Sequence, residues 1–169
     1  MTRTQWTLVL GIGILFAAWA ASPAIAQAKD DSYQWSAELV VFDEASRTVT
    51  FKTMAVGDAI QQAASLKAGD KVLLTWSGFD RYASAINGVR RYEGTVKPDS
   101  RFAFPAEFVS FTANTYLTFK AQVPADAMTR LKAIKPGQWV TATSQHGAHS
   151  SSEPITAIRG YNDLDTARS

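Results

Sequence analysis

The sequence predicts an all-β protein in which one small, curved unit is written twice. Three observations predict it. Short runs rich in β-branched and aromatic residues recur between turn signals. The stretch Leu66-Lys67-Ala68-Gly69-Asp70-Lys71-Val72 returns as Ile134-Lys135-Pro136-Gly137-Gln138-Trp139-Val140. Each version is an apolar anchor, a lysine, a tight turn at glycine and the start of a strand. The flanking blocks hold their offset as well. Ala37–Phe42 precedes Ala106–Phe111 by 69 positions, Val49–Lys52 precedes Leu117–Lys120 by 68, and Ile86, Arg90 and Tyr92 precede Ile155, Arg159 and Tyr161 by 69. Register kept across separate blocks, with single-residue shifts confined to loops, is the mark of a repeated unit.

The chain has 169 residues and opens like an export signal. Arg3 is followed by an apolar core from Leu8 to Ala18, then Pro23 and the small-residue site Ala24-Ile25-Ala26, which predicts cleavage after Ala26. An uncleaved anchor is the alternative, because Thr4 to Ala28 is uncharged and long enough to span a bilayer. The proline and the small-residue site favour cleavage. Loss of residues 1–26 removes one of 17 basic side chains against 15 acidic ones and leaves a formal net charge of +1. No basic footprint for nucleic acid results. With no cysteine, disulfides, thiolate metal sites and lipid attachment at cysteine are excluded. Stability must then come from a packed core. A unit of about 60 residues buries only about 60% of its unfolded surface, so the two copies should pack on each other.

The elements follow in order. Residues 28–32 form a polar leader. Ala37–Phe42 and Thr48–Lys52 form a hairpin around the turn Asp43-Glu44-Ala45-Ser46. A short helix starts at Asp58 as N-cap, with Gln61 reaching back and Ile60, Ala63 and Ala64 on its apolar stripe. Gly69 marks a turn needing positive φ, and Gly137 repeats it. Lys71–Trp76 and Ile86–Tyr92 are the third and fourth strands, joined by the loop Ser77–Ala85. The second copy repeats this plan with one hairpin-turn residue fewer. The expected domains are a signal segment at 1–26, a first repeat at 33–94, a linker at 95–101, a second repeat at 102–163 and a tail at 164–169. Two tandem barrels and one pseudo-two-fold barrel both fit, since either closes its sheet edges. Phe102, Phe104 and Phe108 should fill the junction between copies, helped by Trp139 at the place of Lys71.

The framework Val-x-Phe-Asp (Val40–Asp43), Thr-Val-Thr-Phe (Thr48–Phe51) and Leu-Lys-x-Gly-Asp-x-Val (Leu66–Val72) resembles the small periplasmic OB-like barrels. That group includes the copper- and silver-binding chaperone of the Cus efflux system. The resemblance covers Ser36 to Tyr92 once and Pro105 to Tyr161 again. It implies a pair of OB-like units and a periplasmic setting. In that chaperone a His, two Met and a Trp hold the metal around the second and third strands. The matching stretches here, Lys52 to Leu66 and Lys120 to Ile134, hold only Met54 and Met128, so the ligand set is not carried over.

Among candidate site residues, Phe79, Asp80, Arg81 and Tyr82 are the most ligand-like, with two aromatics flanking an acid and a base in a loop where the copies differ most. The other reading is that these aromatics cover a barrel end. Met54, His146 and His149 are the only candidates for a metal site. The pair His146-Gly-Ala-His149 lacks a third ligand on its serine-rich loop, so no resident metal is expected. Glu38 with Arg90, and Glu107 with Arg159, predict a repeated ion pair across neighbouring strands, with Tyr92 and Tyr161 stacked on the arginines. Glu38, Arg90, Glu107, Arg159, Gly69 and Gly137 are structural on this reading. No nucleophile elbow, phosphate loop or catalytic triad is present in the sequence, so no catalytic residues are named.

The expected function is an exported, periplasmic, non-enzymatic binding or adaptor protein without a cofactor. Its partner would be a small molecule or an envelope protein, docked on the Phe79–Tyr82 loop or the seam between repeats. No nucleic acid is expected, and contact with the membrane only through the signal segment. A copper-type metal-binding protein is the alternative. An enzyme with a site at the seam is third, with no motif to support it.

Overall fold

The computed structural model describes residues 32–77, 85–94, 102–146 and 154–161. The signal segment, the linker 95–101 and the tail lie outside these residues. The order of elements is β1 (Ser32–Asp43), β2 (Thr48–Ala55), α1 (Asp58–Ala64), β3 (Lys71–Ser77), β4 (Ala85–Arg91), β5 (Ala103–Thr112), β6 (Tyr116–Gln122), α2 (Ala125–Leu131), β7 (Trp139–Gln145) and β8 (Ile155–Gly160). Among the described residues the protein is all-β apart from two seven-residue helices. Neither helix is long enough to stand without tertiary packing. Period-2 alternation aims Tyr33, Trp35, Ala37 and Leu39 of β1 inward, and all four are buried.

The eight strands form one sheet in the order β4-β3-β5-β6-β2-β1-β7-β8. That order reads the same backwards when β1 to β4 are exchanged with β5 to β8. The halves are therefore not separate barrels side by side. They swap edges, so that β3 pairs with β5 and β7 pairs with β1. The register obeys the same exchange. Glu38 faces Lys52 and Leu39 faces Phe51 in the first hairpin, as Glu107 faces Lys120 and Phe108 faces Phe119 in the second. Both hairpins then slip by one residue at the same place, a bulge at Val40 and at Val109. The centre of the sheet is the antiparallel pair β2–β6, where Phe51 lies opposite Phe119.

The core is built from such cross-axis pairs. Phe51 and Phe119 have ring centroids 5.5 Å apart, Trp35 stacks on Phe104 at 5.2 Å, and Tyr33 meets Phe102 edge-on at 5.3 Å. In each pair the second residue holds the place of the first in the other half. Trp35, Phe51, Phe104 and Phe119 are fully buried. Burial of a side chain of this class is worth roughly 1.5–3 kcal/mol, which makes this column the main cohesive element. One position breaks the match. Trp76 packs on Trp35 at 4.5 Å, whereas its counterpart Ser144 accepts a hydrogen bond from Trp35 Nε1 at 2.9 Å. A large residue on one side is offset by a small one on the other, which keeps the interior filled.

The two glycine turns fasten the halves together. Gly69 and Gly137 adopt φ of +90° and +85°, as their place in the sequence predicts. The Gly69 amide donates to the Phe108 carbonyl at 2.9 Å, and the Phe108 amide donates back to Asp70 O at 2.9 Å. Gly137 and Leu39 make the same exchange at 2.7 Å, returned to Gln138 O at 2.9 Å. Each turn thus satisfies backbone groups freed by the bulge of the other half.

The helix start differs from expectation. Gly57, at φ +57°, is the cap residue of α1, and Asp58 is the first helical residue with no side-chain cap bond. A carboxylate in the first turn still favours the helix dipole. Ala59 and Ala63 form the buried stripe with Ile60 half-buried, while Ala64 is exposed. Gln62, to which the sequence alone assigns no role, accepts the Val89 amide of β4 on its Oε1 at 2.7 Å.

Closure breaks the symmetry. β4 pairs in parallel with the end of β2, Met54 with Ala85 and Ala55 with Ile86, and the Val56 amide donates to Ile86 O at 2.9 Å. This closes a five-stranded ring, β2-β6-β5-β3-β4. Among the described residues β6 and β8 form no matching pair. The sequence offers a reason. Pro124 stands where Val56 donates, and proline has no N–H to give to such a seam. Pro154 stands where Ala85 pairs.

Candidate functional site

The unclosed seam is a cleft of about 490 Å³. Gln122 and Pro154, the counterparts of the paired Met54 and Ala85, form one side of it. Lys71, Tyr92 and Thr48 reach it from the first half, and Glu107 and Lys120 from the second. Pro105 and the core residues Ala106 and Ala121 complete its lining.

A row of charged residues crosses this cleft. Strand register sets Lys120, Glu107 and Lys71 side by side on β6, β5 and β3. Lys71 Nζ lies 3.0 Å from Glu107 Oε2, and Lys120 Nζ lies 3.5 Å from Glu107 Oε1. Hydrogen bonding from Lys71 holds the Glu107 carboxyl below the usual carboxylate range. Partial burial opposes the shift, and the charges of both lysines add to it. The lysines are substantially exposed, so these pairs add little stability, about 0–1 kcal/mol each. The row sets two cations against one carboxylate, and the Asp43 carboxylate of the first hairpin also acts on Lys120.

The equivalent row in the other half reads Lys52, Glu38, Trp139. Lys52 Nζ meets Glu38 Oε2 at 3.1 Å, and the row is neutral. Tyr116 and Met54 stand at the places of Thr48 and Gln122, both exposed, with the Lys52 ammonium 5.1 Å from the Tyr116 ring centre. One face is therefore a polar cleft edged by two lysines, and its twin is an aromatic surface over a closed seam.

The expected Glu38–Arg90 and Glu107–Arg159 pairs do not form. β1 borders β2 and β7, and β5 borders β3 and β6, so neither glutamate's strand adjoins β4 or β8 in its own half. Lysines on the true neighbours take the carboxylates instead. Arg159 Nη2 donates to Gln34 Oε1 at 2.8 Å, and Arg90 is exposed. Sequence reasoning missed Lys71 because its contact with Glu107 joins the two halves, and missed Lys120 although the expected hairpin sets its strand beside that of Glu107. Comparison of the copies position by position would have found Pro124 and Pro154.

Phe79, Asp80, Arg81, Tyr82 and His149 lie outside the described residues. Met54 is on the outer face beside Tyr116. His146 packs at the barrel end, stacked on Tyr33 at 5.0 Å and edge-on to Phe102 at 4.8 Å. Among the described residues no group of three or more His, Asp or Glu side chains is placed to hold a metal. Burial pushes the Tyr33 phenol well above its usual range. Ser144 opposes that shift, but its hydroxyl oxygen already serves Trp35, and the Tyr33 hydroxyl has no hydrogen-bond partner of its own.

No protein-family model, no curated protein and no solved structure matches this chain.

Proposed function

We propose that the chain is an exported, non-enzymatic binding protein of the periplasm, and that its ligand occupies the cleft left by the unclosed seam. One observation carries this reading. Two halves that agree residue by residue in register differ where a seam is shut on one side and open on the other. The open side gathers polar side chains from both halves. Such a cleft, with an apolar floor and a few convergent polar groups, is the usual form of a small-molecule site. Internal duplication of an OB-like unit accounts for the matched halves. After duplication one copy was free to lose its closing hydrogen bonds while the other kept the barrel shut. Export rests on the apolar segment before Ala26 and the small-residue site that ends it.

The test is an amide-shift titration of the exported protein with a library of small polar compounds of mixed charge. Shifts clustered at Ala106, Ala121 and Gln122 are expected from at least one compound class. Shifts confined to other surfaces, or none at all, overturn the site. N-terminal sequencing of periplasmic material should begin at Gln27, and recovery of the chain only as an intact membrane-anchored species contradicts the exported reading.

A further inference from the structure

We infer that the cleft takes a small organic carboxylate, with its charged end beside Lys71 and Lys120 and its apolar body on Pro105 and Pro154. The inference rests on the cleft being a ligand site and goes on to name the ligand's chemistry.

The lysines are already arranged for a carboxylate, because one sits between them. Glu107 offers one oxygen to Lys71 and the other to Lys120. That row sets two ammonium groups against Glu107, with the Asp43 carboxylate also acting on Lys120, whereas the matched row Lys52, Glu38 and Trp139 holds one ammonium group and one carboxylate. The second ammonium group is therefore particular to the half whose seam is open. A phosphate dianion would meet Glu107 and Asp43 with twice the charge of a carboxylate. Lys71 is the more exposed of the two ammonium groups, with about two thirds of its side chain open to solvent, and can swing from Glu107 to an incoming anion. The floor selects the rest of the ligand. The apolar lining of the cleft includes the rings of Pro105 and Pro154, which suit a compact hydrocarbon or aromatic body.

The carboxylate of Glu107 competes with the ligand for the same cations. Its removal should strengthen binding, which a purely apolar cleft would not show. Replacement of Lys71 by tryptophan copies the residue that the other half carries at this place, so the sheet has a precedent for it.

The experiment titrates the exported protein with benzoate, acetate, benzamide, benzamidine and inorganic phosphate, and reads the Ala106 and Ala121 amides. Benzoate should bind there, and benzamide should bind on the order of tenfold more weakly, the worth of a charge-assisted hydrogen bond. Acetate should bind more weakly than benzoate. Lys71→Trp should lower benzoate affinity by about tenfold, and Glu107→Gln should raise it, with thermal melts showing that both variants remain folded. Equal binding of benzamide and benzoate, preference for phosphate or benzamidine, or indifference to both substitutions overturns the carboxylate assignment. If compounds of the wider library bind the cleft while benzoate and acetate do not, the assignment fails and the ligand site stands. If no compound shifts the cleft amides, the site itself fails.

Discussion

Lys71 and Trp139 stand at one register position of the two halves, and each faces a glutamate on the neighbouring strand, Glu107 for Lys71 and Glu38 for Trp139. The backbone treats the two places alike. The side chains do not, and the difference turns one outer face into a charged cleft edge and the other into an aromatic surface. Each half can therefore serve as the control for the other.

The column of paired rings should dominate stability. Trp35→Ala removes a fully buried ring in contact with Phe51, Trp76, Phe104 and Phe119, and should cost about 3–5 kcal/mol. Met54→Ala on the outer face should stay within about 0.5 kcal/mol. Urea unfolding of the two variants measures both, with the slopes checked for a common unfolded state.

Gly69→Ala and Gly137→Ala should cost similar amounts, about 1–2 kcal/mol each, because both residues hold strongly positive φ. A Cβ at either place meets nothing within 4 Å, so the cost is conformational and not steric. Unequal losses would show that the turns do not do the same work in the two halves.

The fold class was legible in the sequence because strand periodicity and turn chemistry are local. Val49 and Phe51, or Gly69 and Gly137, announce their roles within a few residues. Even the shorter second hairpin turn can be read from the offset between copies. Which strand borders which can be read only within the hairpins. The sequence suggests Arg90 for Glu38, although the hairpin it also predicts sets the strand of Glu38 beside Lys52. Residues 32–36 look like a polar leader and an entry into the first strand, but they extend β1 and pair with β7 of the other half. The cleft is hidden for the same reason, since its lysine, glutamate and tyrosine come from strands that meet only when the halves exchange edges.

Gln62 should guard the closed ring. Its Oε1 is the acceptor for the Val89 amide, and Gln62→Ala leaves that donor without a partner, at a cost of about 1–3 kcal/mol. Hydrogen exchange at Val89 should speed up accordingly. The matching residue in α2 is Arg130, whose side chain carries no acceptor, so Arg130→Ala should leave exchange at Ile158 unchanged.

Acid should reveal the Glu107 row. Its folded pKa is lowered from the ordinary 4.5, chiefly by the Lys71 hydrogen bond. A depressed carboxyl contributes stability that is complete above the unfolded value and fades as pH falls through the folded one. The melting temperature of the wild type should therefore fall relative to that of Glu107→Gln as pH drops below about 4.5, and the gap should shrink in high salt. A constant gap across that range contradicts the assignment.

Pro124 replaces the donor that shuts the first seam and Pro154 lines the cleft at the second, so the ligand's place should depend on both. The direct measurement is hydrogen exchange on the double substitution Pro124→Val and Pro154→Ala, which returns to the second half the residues that close the first. The new amide at position 124 should become protected, as the Val56 amide is expected to be, and benzoate shifts at Ala106 and Ala121 should vanish. A freely exchanging amide at 124 with ligand shifts unchanged would contradict the claim.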